Sequence, residues 1–213
     1  MNGEESHLKE EKIEAQLQIA SQSNLPTSER IYDPSCSGAI RQGEILTNLI
    51  QIKINLDSLR SGKELLADRV EHKYAIVITQ DCDVIQDFTN EKGKESSGNL
   101  PNTLLCQVVT AEQLRGREDI KSDIWKRIRQ NKDERYQFLE KVSVDCDLLG
   151  EGLPELGIDF KRYFTVPTDE LYFKLETEAK RRCRLISPYL EHFSNRFYSY
   201  QSRIALPADH RSE

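Results

Sequence analysis

Lys73-Tyr-Ala-Ile-Val-Ile-Thr-Gln-Asp-Cys-Asp83, followed after a polar stretch by Asn102-Thr-Leu-Leu-Cys-Gln-Val-Val-Thr110, decides the fold. Each run is apolar and β-branched in its middle and polar at both ends, the composition of a strand bounded by turns. The second run returns antiparallel to the first, because the intervening loop has only to double back. Two such strands form the heart of a small β-rich domain, with any chemistry at one end of the pair or the other. Residues 80–102 include Glu91-Lys-Gly-Lys-Glu-Ser-Ser-Gly-Asn99, have almost nothing to bury, and read as a long functional or disordered loop.

Upstream, Pro34-Ser-Cys-Ser-Gly38 is a turn cluster. Residues 40–50 and the cleanly alternating Gln51-Ile-Lys-Ile-Asn-Leu56 read as strands, and 58–69 as a loop or short helix. Downstream, Ile120, Ile124 and Ile128 recur every four positions and predict a helix over 111–134. Residues 135–142 and 156–166 read as strands, and 168–178 as a short strand or helix. Ser187 as cap and Pro188 in the first turn open a terminal helix whose Tyr189, Phe193, Phe197, Tyr200 and Ile204 share a face. That stripe reads as core packing rather than a cofactor box.

Three segments follow: a polar N-terminal arm over 1–35, partly disordered or helical through Ile13, Leu17 and Ala20; one domain over 36–207; and a tail over 208–213. Of the 213 residues, 31% are charged and 37% hydrophobic, which indicates a soluble globular chain. No apolar run approaches the roughly 20 residues of a membrane span. The N-terminus lacks the basic and apolar regions of a signal peptide, so the expected compartment is the cytoplasm. Five scattered cysteines without a Cys-x-x-Cys pair predict no disulfide framework there. The formal net charge of -6 weighs mildly against a dedicated nucleic-acid binder. The densest basic cluster, Lys180-Arg-Arg-Cys-Arg184, reads as a solvated face near a helix start, with Arg181 and Arg182 as its binding candidates.

Gln42-Gly-Glu-Ile-Leu, Tyr74-Ala-Ile-Val-Ile-Thr-Gln-Asp, Thr103–Ala111 and Ile158–Val166 with Leu171 follow one another as the signature strands of the MazF/PemK-type toxin endoribonucleases do. The chain resembles that superfamily over about residues 41–206, as a divergent bacterial member with a helical insertion at 111–134 and a lengthened 80–102 loop. The resemblance implies an α+β fold: a small SH3-like β-barrel with an inserted helix and a packed C-terminal helix. The chain is also similar to bacterial proteins that pair a strand end like Gln80-Asp-Cys-Asp83 with a helix ending like Arg203-Ile-Ala-Leu-Pro207, a likeness that implies no activity.

In the toxin family an Arg before the signature strand and a Thr or Ser ending the next one act together on RNA. Carried over, these positions are Lys73 and Thr110. The Arg is replaced by a Lys, which lacks the planar fork that fits a phosphate, and the Pro that follows it in the family is Tyr74. His72 is an adjacent acid–base candidate, although neighbours on a strand point to opposite faces. The bland alternative is a polar strand entrance without a catalytic role.

At the other end, Gln80, Asp81, Cys82 and Asp83 are carried as binding candidates. Asp145-Cys146-Asp147 repeats the Asp-Cys-Asp trio. Carboxylates suit a hard cation, but neither an EF-hand nor a zinc spacing is present, and Asx-type turns account for both trios. No metal or cofactor is expected. Cys82 as a nucleophile would find only His192 as a base, since His72 lies well over 20 Å along the strand at about 3.3 Å per residue.

Three functions compete. One is a metal-independent endoribonuclease. A second is a binding module that docks a protein, a second copy of itself or RNA. The third is a regulatory component of a bacterial toxin–antitoxin or antiviral defence system. The balance of residues favours a barrel-based interaction or regulatory component, with RNA cleavage as the alternative and no membrane partner.

Overall fold

The computed structural model describes residues 30–62, 64–93 and 100–203. Contacts divide the chain after Ile31, and the second unit, from Tyr32 onward, holds the sheet and its helices. The helical stripe predicted around Ile13, Ile204 with the Arg203–Pro207 ending, and the tail lie partly or wholly outside the described residues.

Seven strands form one antiparallel sheet: β1 (Tyr32–Asp33), β2 (Glu44–Ile54), β3 (Ala67–Val77), β4 (Asn102–Thr110), β5 (Tyr136–Leu139), β6 (Leu156–Pro167) and β7 (Lys180–Leu185). Their spatial order is β1-β7-β2-β3-β4-β6-β5. Among the described residues there are six α-helices: α1 (Leu56–Ser61), α2 (Asp81–Gly93), α3 (Ala111–Arg115), α4 (Ser122–Arg129), α5 (Thr168–Thr177) and α6 (Tyr189–Gln201). The fold is therefore α+β. The sheet is open, because no ladder joins β1 to β5. A side chain bridges the two ends instead: the Tyr32 hydroxyl donates to the Glu140 carbonyl at 2.8 Å.

Several expectations change. Residues 40–56 hold one strand rather than two, and β3 begins six residues before the predicted strand. Residues 81–93 are helical, not loop, with Asp81 and Asp83 placed where a helix N-terminus favours carboxylates. The helix predicted over 111–134 is two helices, because Gly116 caps the first and the chain turns before Ser122. Lys180–Leu185 is a strand, not a helix start. Ser187 makes no capping hydrogen bond, and α6 begins at Tyr189 after Pro188.

One core layer gathers Ile40, Leu46, Leu49, Ala75, Val77, Leu105, Val166 and Leu171 between the sheet, α2 and α5. A second lies under α3 and α4, with Leu114, Ile120, Ile128 and Phe138. Gly157 permits it. A Cβ there would stand 2.4 Å from a Leu114 methyl, so only glycine lets α3 seat so closely on β6. On α6, Phe193 and Phe197 are buried and pack around Phe160, as the stripe predicted, while Tyr189 is exposed.

Beyond the rungs shared with β7 and β4, the strands β2 and β3 continue as a two-stranded arm, paired only with each other from Gln51↔Val70 to Ile54↔Ala67. Asn55 builds its tip: the side-chain oxygen accepts from the N–H groups of Asp57 and Ser58, and the amide donates to Asp68. The free margin of β5 is sealed by side chains. Asn131 pairs with both the N–H and the C=O of Phe138, and Arg196 donates to the carbonyls of Asn131, Asp133 and Tyr136.

Candidate functional site

The β3–β4 pair is antiparallel, with rungs from Tyr74↔Val108 to Val77↔Leu105. Beyond the last rung, Tyr74↔Val108, lie Lys73 and His72 on β3 and Thr110 on β4, all toward the same end of the pair. Their side chains have different tasks. Thr110 caps α3: its hydroxyl accepts from the Gln113 N–H at 3.2 Å, and the Gln113 side chain accepts from the Thr110 N–H at 3.1 Å. The Thr-Ala-Glu-Gln sequence is itself a capping box. His72 is buried, stacks on Phe164 with ring centroids 3.9 Å apart, and meets the Gln51 side chain at 3.2 Å. Burial, with a smaller contribution from Lys53, holds its pKa below the usual histidine range. Lys73 is exposed, its ammonium 5.5 Å from the centre of the Tyr74 ring.

Beside Val109 lies a hollow of about 200 Å³, lined by Gln107, Val109, Gln113, Arg117, Asp159 and Arg162. Asp159 on β6 is its charged floor, with a side chain 3% exposed. Its carboxylate accepts Arg117 at 2.9 Å, both Nε and Nη2 of Arg135 at 2.8 and 2.7 Å, and the Lys161 N–H at 3.1 Å. The Arg162 Nε stands 3.7 Å away. Burial would raise the pKa of Asp159, but Arg135 and Arg117 outweigh it and hold the carboxyl below its usual range. Three guanidinium groups thus face one carboxylate.

At the opposite end, Asp81 ties three elements together. It accepts from Arg41, from the Gln42 N–H at 2.7 Å and from Arg184 on β7. Burial opposes ionisation, yet Arg41 and the Gln42 N–H hold this carboxyl below its usual range. Gln80 donates to the Tyr198 hydroxyl of α6 at 3.0 Å. Cys82 is exposed with its sulfur near Gln80 and Asp83, and Asp83 is exposed as well. The second trio is an anchor: Asp147 accepts bidentately from Arg182 and from the N–H groups of Glu151 and Gly152. Arg181 grips the fully buried Glu44 through two bonds of 2.7 and 2.6 Å and donates to the carbonyls of Gly38 and Ala39. Arg181, Arg182 and Arg184 are thus ion-paired within the fold rather than spread over a solvated face. His192 lines a separate hollow of about 380 Å³ with Asp133, Asn195 and Arg196.

The sequence pointed to the Asp147 trio only as a turn, and it did not mark Glu44, Asp159 or the arginines that serve Asp159 as site residues. Each carries a signal: Asp159 stands between Ile158 and Phe160, and Glu44 immediately precedes Ile45-Leu46. A carboxylate within an apolar strand needs a cationic partner. All five cysteines are free thiols. Among the described residues no three His, Cys, Asp or Glu converge as a metal site, and no helix is long and apolar enough to cross a membrane. Comparison with models of known protein families, with curated proteins and with solved structures finds nothing that matches this chain.

Proposed function

We propose that the protein is a binding component of a bacterial toxin or anti-phage defence system, a divergent MazF/PemK-like member that docks through its β2–β3 arm instead of cleaving RNA. The arm carries this conclusion. Ile52, Ile54, Leu56, Leu59, Leu65 and Leu66 are each 52–60% exposed on a scaffold that Asn55 holds in shape. Single exposed leucines are ordinary, but six within one short projection mark an interaction surface. The commitment of the Thr110 hydroxyl to capping and the burial of His72 favour docking over catalysis. The Tyr32–Glu140 bridge supports an SH3-like barrel left open along one seam.

The occupant is a second copy of the chain. Over residues 51–70, Lys53, Arg60, Lys63 and Arg69 stand against Asp57, Glu64 and Asp68, close to balance, while the whole chain carries -6. Two copies therefore repel broadly but can match opposite signs arm to arm. Finishing the burial of a half-exposed Leu or Ile contributes about 1 kcal/mol, or about 12 kcal/mol for both arms. Association costs roughly 4–15 kcal/mol, so the contact is reversible and concentration-dependent. Light scattering across a concentration series should show a mass rising from monomer toward dimer, and Ile54→Glu with Leu66→Glu should abolish the rise. A parent that stays monomeric at every concentration would exclude the second copy and leave a heterologous partner.

One observation favours the second reading, a metal-independent endoribonuclease: Lys73 and Thr110 both lie just past the last β3–β4 rung, Tyr74↔Val108, at the same end of the pair. Cleavage of RNA in EDTA by the parent, lost in both Lys73→Ala and Thr110→Ala, would establish it.

A further inference from the structure

The hollow beside Val109 has more positive charge than the fold consumes. Asp159 is saturated by Arg135, Arg117 and the Lys161 N–H, and Asp119 takes up part of the charge behind it through Arg135 at 3.8 Å. Arg162 is not needed for that balance. Its side chain is 53% exposed, and among the described residues the only hydrogen bond its guanidinium makes is a 3.3 Å contact to the Gln107 side chain. An arginine has five N–H donors. Arg117 uses one of its own on Asp159. Both line the same cavity, with the side chains of Gln107 and Gln113 at its wall.

We propose that this hollow binds a phosphate group, held by the spare donors of Arg162 and Arg117 over the neutralised floor of Asp159. Size selects the ligand class. About 200 Å³ is below the roughly 300–1,000 Å³ of sites for drug-sized molecules, so one phosphoryl group fits and a whole dinucleotide cofactor does not. Geometry selects it too, since planar guanidinium forks match the oxygens of a phosphate. Asp159 does not repel the ligand, because its lone pairs already face arginines and its charge is exceeded by theirs. The phosphate can be a free ion or part of an RNA backbone. The site is independent of self-association through the arm, and arm variants leave it intact.

Two probes distinguish the sources: inorganic phosphate by calorimetry, and a short single-stranded oligoribonucleotide by fluorescence anisotropy, with inorganic phosphate as competitor. Saturable binding of either supports the site. Binding of the oligonucleotide displaced by phosphate assigns it to RNA, whereas binding of phosphate alone assigns it to the free ion. Losing charge-assisted bonds from Arg162 should weaken binding about ten- to a hundredfold in Arg162→Ala, with Arg162→Lys intermediate. Arg115→Ala, which removes an arginine stacked over Trp125, should bind as the parent does. Thermal melts of all three variants check that they fold. Parent-like affinity in a folded Arg162→Ala, or no saturable binding of either probe, would overturn the proposal.

Discussion

Replacing Arg182 with alanine should be among the most damaging single changes in this chain. Arg182 lies on β7 with its side chain 8% exposed, and Asp147, its partner in the turn after β5, is fully buried. The Asp147 carboxylate has four close donors, two from Arg182 at 2.8 and 2.6 Å and two backbone N–H groups at 3.0 and 2.9 Å. Arg182→Ala removes the two charged donors and leaves an ion in a dry site. Breaking a buried pair on one side costs about 3–5 kcal/mol, against a total stability of about 5–15 kcal/mol. At about 2–4 °C per kcal/mol for a chain of this size, Tm should fall by roughly 6–20 °C. Burial alone would raise the pKa of Asp147, but Arg182 and the two N–H groups hold it below the usual carboxylate range. In the parent its contribution is complete above the ordinary Asp value and is lost only as pH falls through the depressed one. In the variant burial dominates, so Asp147 takes up a proton in mild acid and the deficit relative to the parent shrinks there. Adding Asp147→Asn to an Arg182→Met background removes the stranded charge while keeping an acceptor, and should recover more than half the loss. Melting curves by circular dichroism at neutral pH and in mild acid test all of this. A negligible drop in Tm at neutral pH, or a deficit unchanged in mild acid, would refute the reasoning.

Thr110→Ala removes the α3 cap and should cost about 1 kcal/mol, read by chemical denaturation. Thr110→Ser, which keeps the acceptor, should behave as the parent. Gly157→Ala forces a methyl group into Leu114 and should destabilise by about 1–3 kcal/mol, with Leu114→Ala on the same chain relieving part of the clash. His72 has a folded pKa below its unfolded one, so the unfolded chain binds the extra proton first. Its contribution is intact above the unfolded value and is lost as pH falls through that value toward the folded one. Stability measured by urea titration should therefore decline on mild acidification, and less steeply in His72→Gln.

The strands were legible wherever apolar β-branched runs alternated with polar ends, as in Tyr74–Val77, Thr103–Val109 and Leu156–Val166. The helix over 81–93 was hidden because its residues are mostly polar, and over 81–89 it buries only Val84 and Asp87. Periodicity in Ile120, Ile124 and Ile128 was read through Gly116 as though one helix ran from 111, although only α4 carries the last two of them. The end of the sheet that holds Lys73 and Thr110 followed from strand direction alone, whereas the use of Thr110 as a cap depended on α3 starting at the very next residue. The Asp159 hollow was illegible because its charges come from β6 and the segment after α3 and its polar wall from β4, with the bonds that join them spanning more than forty positions.

The sealed margin of β5 bears on how the molecule behaves when crowded. An exposed strand with vacant N–H and C=O groups is a template on which another chain can zip up. In this fold Asn131 takes both the N–H and the C=O of Phe138, and Arg196 and Tyr32 take the carbonyls of Tyr136 and Glu140. Three side chains thereby compete with any strand that would add to that rim. Damage to Asn131 would surface first as turbidity in concentrated samples, before any loss of native structure.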